Sequence, residues 1–584
     1  MALNKYTWAT EDIYKTDEAW NESYAKLEKS LDFSEFVGKL GSAQKFYDFC
    51  KKEESFTREL GKLSVYAMMK HDENTKISRY DSMNAKIDTL CSQYAGATAF
   101  VRPELTALSE EVLSSYISNP LLKDYDYQLK TILKEKKHVL SLPEEKLLAE
   151  GGEVFSSFHD IFGKIDNADL PLGVVEHKGE KIQLTHGTYS VLLQSPDRNL
   201  RKKAFKEYYK AYISLINVIS STYYGNVKKN VYISKARKYG SVLERALSGE
   251  DVPEIVYQNL LKSVNKALPT LHKYVSAKKK LLGVNKMHMY DMYVPVVEGV
   301  DLKLEYDDAY ELVIEGLAPL GKDYCDLLRK AKDECWIDVY EGEGKRSGAY
   351  SVAVYDTHPY VLLNYQKTTH DVFTIAHEMG HSLHSYFSNA NQPYAKADYT
   401  IFVAEVASTV NEVLLVRHLL NKATDKKLRK YLLSYMLEMI RTTLFRQTQF
   451  SEFETIAHGL VEKGEPLNKD NLSEEYLKLN KKYYGRSVIS DEEIKYEWSR
   501  IPHFYRAFYV YKYSTGIISA LAIADRILSE GQVAVDDYFK FLSSGAKDSP
   551  VELLKLAGVD LTSKKPFEQA FKMFKTVLDE FINA

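Results

Sequence analysis

Residues 370–387 read HDVFTIAHEMGHSLHSYF. Val372, Phe373, Ile375, Ala376, Met379, Leu383 and Phe387 recur at helical spacing with no proline among them, which predicts a helix with apolar faces. Thr368 followed by Asp371 has the form of a capping box, with Asp standing where Glu or Gln is usual. Inside the helix, His377-Glu378-Met379-Gly380-His381 matches H-E-x-x-H. Positions i and i+4 lie on one helix face about a turn apart, so both imidazoles can converge on one metal ion. Glu378, beside the first of them, could take a proton from a water activated there. Ionisable groups in so apolar a frame need partners, and a metal is one. With 15 histidines in 584 residues, chance would produce such a match on the order of a few hundredths of a time per chain.

A catalytic zinc site needs three protein ligands and a water. His384 lies seven residues past His377, ~10 Å further along the helix axis, so one ion can hardly take all three. It is expected to be a packing or substrate-side histidine. Glu405, in the apolar stretch FVAEVAST (residues 402–409), is the better third ligand. A second helix crossing the first after residues 389–399 would deliver it, and its carboxylate also needs a partner. Glu412, two turns on, could hydrogen-bond a ligating imidazole and fix its tautomer. His370 and His358 are weaker alternatives.

The rest of the composition narrows the field. A chain of 584 residues can bury a large core and predicts about three or four domain-sized units. Its 45% hydrophobic and 27% charged residues are those of an ordinary soluble protein. A net charge of −3 and a pI near 6.6 argue against nucleic acid or an anionic membrane as partner. The opening MALNKYTWATEDIY has neither a basic n-region nor an apolar h-region, so no secretory leader is expected. The apolar run GIISALAIA (residues 516–524) is far too short to span a bilayer. Four cysteines without C-x-x-C spacing predict reduced thiols in a cytoplasmic protein.

Along the chain, residues 20–149 are predominantly helical in pattern, with helices predicted over 22–31, 43–69, 78–100 and 103–117. Leu142-Pro143 opens another, with proline at an early position. Residues 165–190 are turn-rich, with strand-like pieces at 173–177 and 181–184, and a soft boundary is placed there. A second helical run covers 198–282. Three short β-prone runs, 336–340, 351–355 and 360–365, precede the H-E-x-x-H helix. The edge of such a sheet could pair with an extended peptide, or the strands could simply close the core.

Near the C-terminus, residues 501–516 read IPHFYRAFYVYKYSTG. Pro502 suits the first turn of a helix, which puts His503 near its start and Tyr505, Tyr509 and Tyr513 on one face. Hydrolysis of a peptide develops an oxyanion that preorganised donors stabilise, and His and Tyr can serve. An aromatic core stripe is the competing reading of any single tyrosine, Tyr511 included.

HEMGH (377–381) combined with FVAEVAS (402–408), RSGAYS (346–351), PYVLLN (359–364) and the 501–516 segment resembles the oligoendopeptidase F group of the thimet-oligopeptidase-like zinc metallopeptidases. The similarity runs over residues 183–581, with a weaker match before it. The resemblance implies a mostly α, large helical zincin with two lobes around a deep substrate channel and a small β-sheet before the metal-binding helix. It implies an N-terminal helical domain, 1–182, and a catalytic domain, 183–584. One Zn²⁺ would be held by His377, His381 and Glu405, with Glu378 as general base. His503, with Tyr509 and Tyr513 favoured among the four tyrosines, would stabilise the oxyanion. Short unfolded oligopeptides would be the substrates, in the cytoplasm, with no obligate protein partner. Two alternatives are a helical zinc carboxypeptidase and a non-catalytic helical peptide-binding protein; retention of Glu378 argues against the second.

Overall fold

The protein is described here by a computed structural model covering residues 5–297, 300 and 302–584. It is 72% helical with only small sheets. Packing divides the chain into two compact units, each built from three separate stretches: Met1–Val139, Asp301–Asn421 and Ser519–Asp560 in the first; Leu140–Val300, Lys422–Ile518 and Leu561–Ala584 in the second. The units interleave along the chain, whereas the expected division at 1–182 and 183–584 follows chain order; residue 182 falls inside the second unit. Among the described residues no helix is long and apolar enough to cross a membrane.

In the first unit, helices Asp17–Lys29, Ala43–Glu73 and Ser78–Thr98 bury an aromatic-rich face around Trp20, whose indole N–H donates to the Leu63 carbonyl at 2.9 Å. The helix expected over 103–117 is two, Val101–Ala107 and Glu110–Ile117, because Ser109 accepts from the Val112 N–H and restarts the chain as an N-cap. A three-stranded sheet follows. Its central strand, Tyr360–Leu362, runs parallel to Ile337–Asp338 and antiparallel to Tyr350–Val352, with Ser351 opposite Val361. The far side of Ile337–Asp338 is flanked by the N-terminal segment, where the Tyr6 carbonyl accepts from the Val339 N–H at 2.9 Å and the Ala9 N–H donates to the Cys335 carbonyl at 2.8 Å. Tyr350–Val352 is therefore the edge of this sheet. Helix Thr369–Asn391, opened by the Thr368/Asp371 capping box, packs on the sheet, and helix Ile401–Lys422 crosses it. The second of these is buried nearly all round, as an apolar core helix must be.

The second unit is a stack of helices, among them Gly152–Lys164, Arg198–Ser214, Ile216–Ala236, Glu254–Leu281, Lys426–Ile440, Arg446–Glu462 and Lys565–Asn583. The strand-like pieces form a hairpin, Val174–His177 with Glu180–Gln183. The 501–516 segment departs from expectation. Pro502–Tyr505 is a single 3₁₀ turn, Phe508 has φ +54°, and helix resumes only at Tyr511. Tyr505, Tyr509 and Tyr513 are therefore not three turns of one helix face. At the break, the Phe508 N–H donates to the buried Glu454 carboxylate at 2.8 Å.

Candidate metal centre and the His/Tyr segment

The helix Thr369–Asn391 carries His377 and His381 one turn apart, with their Nε2 atoms 3.2 Å from each other. The crossing helix brings Glu405 Oε2 to 3.5 Å from His377 Nε2 and 3.8 Å from His381 Nε2. Among the described residues this is the one group of three His, Cys, Asp or Glu side chains whose donor atoms converge in this way. Gly380 makes the crossing possible. A Cβ there would lie 2.5 Å from Ser408 Cα and 2.8 Å from the Ala407 carbonyl, so the two helix backbones touch where a larger residue would hold them apart. Asn411 closes the contact by donating from its side-chain amide to the Ala376 carbonyl at 2.9 Å.

The donor set fits a zinc-sized cation. Tetrahedral ligands at about 2.0–2.1 Å from an ion stand ~3.3 Å from one another, and the three separations here bracket that value. Two imidazole nitrogens face each other beside a carboxylate, a donor set that a divalent cation would satisfy. His377 Nδ1 is 2.6 Å from Glu412 Oε1, so the carboxylate fixes the ring and leaves Nε2 directed at the cluster. Burial opposes charge on His377, but hydrogen bonds donated to Glu405 and Glu412 outweigh it and push its pKa up to about 10. Burial and the neighbouring His377 push His381 down to about 4.

Glu378 is 8% exposed. Burial raises its pKa to about 7, with Glu405 and Glu412 adding to the rise, while the His377 charge and the Ser351 backbone N–H oppose it. Its carboxylate thus meets the edge strand Tyr350–Val352 at Ser351, whose hydroxyl also lies 2.8 Å from Ser382 on the motif helix. His384 stays out of the cluster: its ring stacks on Tyr399 at 3.7 Å and leans on Phe541, and burial drives its pKa down to about 3. His358 stacks on Trp336 at 4.7 Å. Neither it nor His370 joins the converging donors.

In the second unit, His503, Tyr509 and Tyr513 gather although they share no helix face. Ring centroids are 5.8 Å apart for His503–Tyr509, 6.0 Å for His503–Tyr513 and 5.6 Å for Tyr509–Tyr513. The His503 ring is exposed enough to meet a ligand, and burial with the Arg446 and Arg506 charges lowers its pKa. Tyr505 and Tyr511 are packing residues: Tyr505 stacks on Phe162 at 4.4 Å, and Tyr511 meets Tyr257 edge-on at 5.4 Å.

A family model for peptidase family M3 matches residues 191–573, and one for oligopeptidase F matches residues 104–171. The chain belongs to peptidase family M3. This M3 peptidase is 44% identical over 578 residues to oligopeptidase PepF of Bacillus subtilis (strain 168), covering 98% of its own length and 86% of that protein. A crystal structure from Chlamydophila abortus superposes with a TM-score of 0.93 at 35% identity, covering 99% of this chain and 98% of that one. That of oligoendopeptidase-F from Enterococcus faecium gives 0.75 at 37% identity, with 97% and 98% covered. The M3 chain is accordingly a hydrolase of peptide bonds in a metallopeptidase family.

Three features of the M3 site escaped the sequence reading: Gly380 as the crossing point, Ser351 as partner of Glu378, and Asn411 as the clamp. A glycine inside an otherwise strong helix pattern was the one available signal, since such a residue costs about 1 kcal/mol against Ala and needs a packing reason. The other two depend on pairings across distant segments.

Proposed function

We propose that this M3 peptidase is a zinc-dependent endopeptidase that cleaves internal bonds of short, unfolded oligopeptides in the cytoplasm. The observation that carries the reading is the convergence of His377, His381 and Glu405 beside a buried Glu378. Those three side chains would hold the ion, with Glu412 orienting His377. Bound there, Zn²⁺ supplies Lewis-acid chemistry, polarising a carbonyl and making water acidic enough to deprotonate near neutral pH. Glu378 accepts the proton of the attacking water on a carboxylate oxygen and returns it to the leaving amine. The Tyr350–Val352 edge lies next to Glu378, and an extended peptide could add to it as a further strand. His503, Tyr509 and Tyr513 are assigned as donors to the oxyanion, a role that a neutral imidazole and phenols can fill. In chain order, residues 183–584 would form the catalytic part and 1–182 the N-terminal helical part.

The names of the relatives, oligopeptidase and oligoendopeptidase, support peptide substrates and internal cleavage. The test is digestion of a peptide library blocked at both ends, read by mass spectrometry with and without a chelator. Internal fragments that vanish with chelator are expected. Release of single C-terminal residues from unblocked peptides alone would make it a carboxypeptidase. Binding without any cleavage by the zinc-loaded protein would make it a peptide-binding protein.

A further inference from the structure

Glu454, on helix Arg446–Glu462, is fully buried, yet the assigned chemistry does not use it. One carboxylate oxygen accepts the backbone N–H of Phe508 at 2.8 Å, and the other has no hydrogen-bond partner. Phe508 is itself unusual, a bulky residue at φ +54°. Non-glycine residues avoid that region on steric grounds and hold it only where surrounding contacts compel them. The contacts are present. The Phe508 ring meets Tyr257 edge-on at 5.8 Å and His458 at 5.0 Å. His458 sits one turn after Glu454 and is held through Nδ1 on the Glu454 carbonyl at 2.9 Å.

The break at Phe508 decides which rings meet. HFYRAFYVYKYSTG has no proline, and the recurrence of Tyr505, Tyr509 and Tyr513 every four residues would suit a continuous helix. At about 100° per residue, such a helix would put Tyr509 ~120° around the axis from His503, on a different face. With the left-handed residue at 508, Tyr509 instead lies against His503 at 5.8 Å with its ring nearly parallel, and Arg506 covers it at 4.3 Å.

We propose that Glu454 is a positioning residue: by accepting the Phe508 N–H it holds the left-handed turn that brings Tyr509 beside His503 and Tyr513. The inference rests on the reading of those three as oxyanion donors, and it deepens that reading. It needs a buried acceptor and not a negative charge. Burial raises the Glu454 pKa to about 8 against the opposing Phe508 hydrogen bond, so the group is largely a neutral acid at pH 7.

The experiment compares Glu454→Gln, Glu454→Ala and Glu454→Ala/Phe508→Gly in full-length, metal-loaded protein. Two quantities are measured: kcat and KM on an internally quenched peptide, and the titration of the His503 ring by NMR of ¹³C-histidine protein, its signal identified by loss in His503→Ala. Glu454→Ala should lower kcat ~10²-fold, the scale of a misplaced catalytic group, with KM within about threefold. Its His503 midpoint should rise as the ring loses its packed neighbours. Glu454→Gln, which keeps an acceptor, should stay within about threefold of the parent in kcat and leave the midpoint in place. Glycine at 508 adopts positive φ freely, so the double variant should recover at least about tenfold of the lost kcat. Should Glu454→Ala not accumulate, Phe508→Val makes the same test from the other partner, because a β-branched residue resists positive φ. Unchanged kcat and unchanged His503 titration in Glu454→Ala would overturn the proposal, as would Gln proving as damaging as Ala. A shifted titration with unchanged kcat would leave the positioning role standing and remove the donor role from the His/Tyr group.

Discussion

As the proposed base, Glu378 would meet two opposed demands, since a base must be ionised to accept a proton and a returning acid must hold it loosely. Burial beside Glu405 and Glu412 supplies the upward push, and His377 with the Ser351 N–H restrains it. Glu378→Gln preserves size and hydrogen bonding but cannot take the proton. Turnover should fall ~10²–10⁴-fold with zinc content and melting temperature unchanged; a tenth of the parent kcat in the loaded variant would remove Glu378 from the base role. Glu412→Ala should leave the three donors in place while weakening zinc retention ~10–100-fold in chelator competition, because His377 loses the group that orients it. The tyrosines separate on the same scale. Tyr505 buries a hydroxyl with no partner, so Tyr505→Phe should leave kcat alone and stabilise by about 1 kcal/mol in denaturant titration. Tyr509→Phe should cost ~10²–10³ in kcat with KM little changed.

Where the motif helix crosses its neighbour, backbone packing competes with helix propensity. Ala is favoured over Gly inside a helix by about 1 kcal/mol, so Gly380→Ala would stabilise Thr369–Asn391 in isolation. In the folded protein the added Cβ meets the Ser408 Cα and the Ala407 carbonyl, which are backbone atoms and cannot swing aside. The clash should win. The variant is expected to melt lower and to lose zinc at least about tenfold more readily, because separating the helices withdraws Glu405 from the two imidazoles. Normal zinc retention would show that the crossing tolerates a methyl and that Gly380 does not set the ligand geometry. The sheet beside it follows related logic: Tyr6 and Ala9 engage the 335–339 stretch and leave Tyr350–Val352 as the edge.

At the scale of the whole molecule, two strongly depressed carboxyls lie in the second unit. Burial works to raise the pKa of Glu438 and Glu497, but Arg441 and Lys278 around the first, and Arg446 and Arg500 around the second, hold both carboxyls at about 2. A depressed carboxyl contributes its full stabilisation above its unfolded pKa, ~4.3, and loses it as pH falls toward its folded value. Each group is worth on the order of 3 kcal/mol by that linkage. Calorimetric melts should therefore fall steeply from about pH 4.5 toward pH 2. Glu497→Gln should flatten that limb while lowering stability at pH 7 by about 3 kcal/mol, since the half-buried Arg446 and Arg500 lose the charge they face. An equally steep acid limb in the variant would place the acid sensitivity elsewhere.

Local rules made most of the candidate metal cluster legible. The 3.6-residue period of 370–387, the Thr368/Asp371 box and the i, i+4 imidazoles are properties of one helix, and a helix writes its faces into its own sequence. Glu405 and Glu412 were legible for a related reason: an acid in an otherwise apolar helix announces an unseen partner. The 501–516 segment reads as a helix because nothing local breaks it. Glu454, some fifty residues earlier, does break it, and a contact at that separation leaves no mark in periodicity. For the same reason the sequence identified His503 and its tyrosines as a group but placed Tyr505 among them. Tertiary structure decided which rings meet, how Gly380 lets two backbones touch, and how two compact units each form from three distant stretches. Each of these is set by packing between segments far apart in the chain, where burial and excluded volume outweigh local propensity.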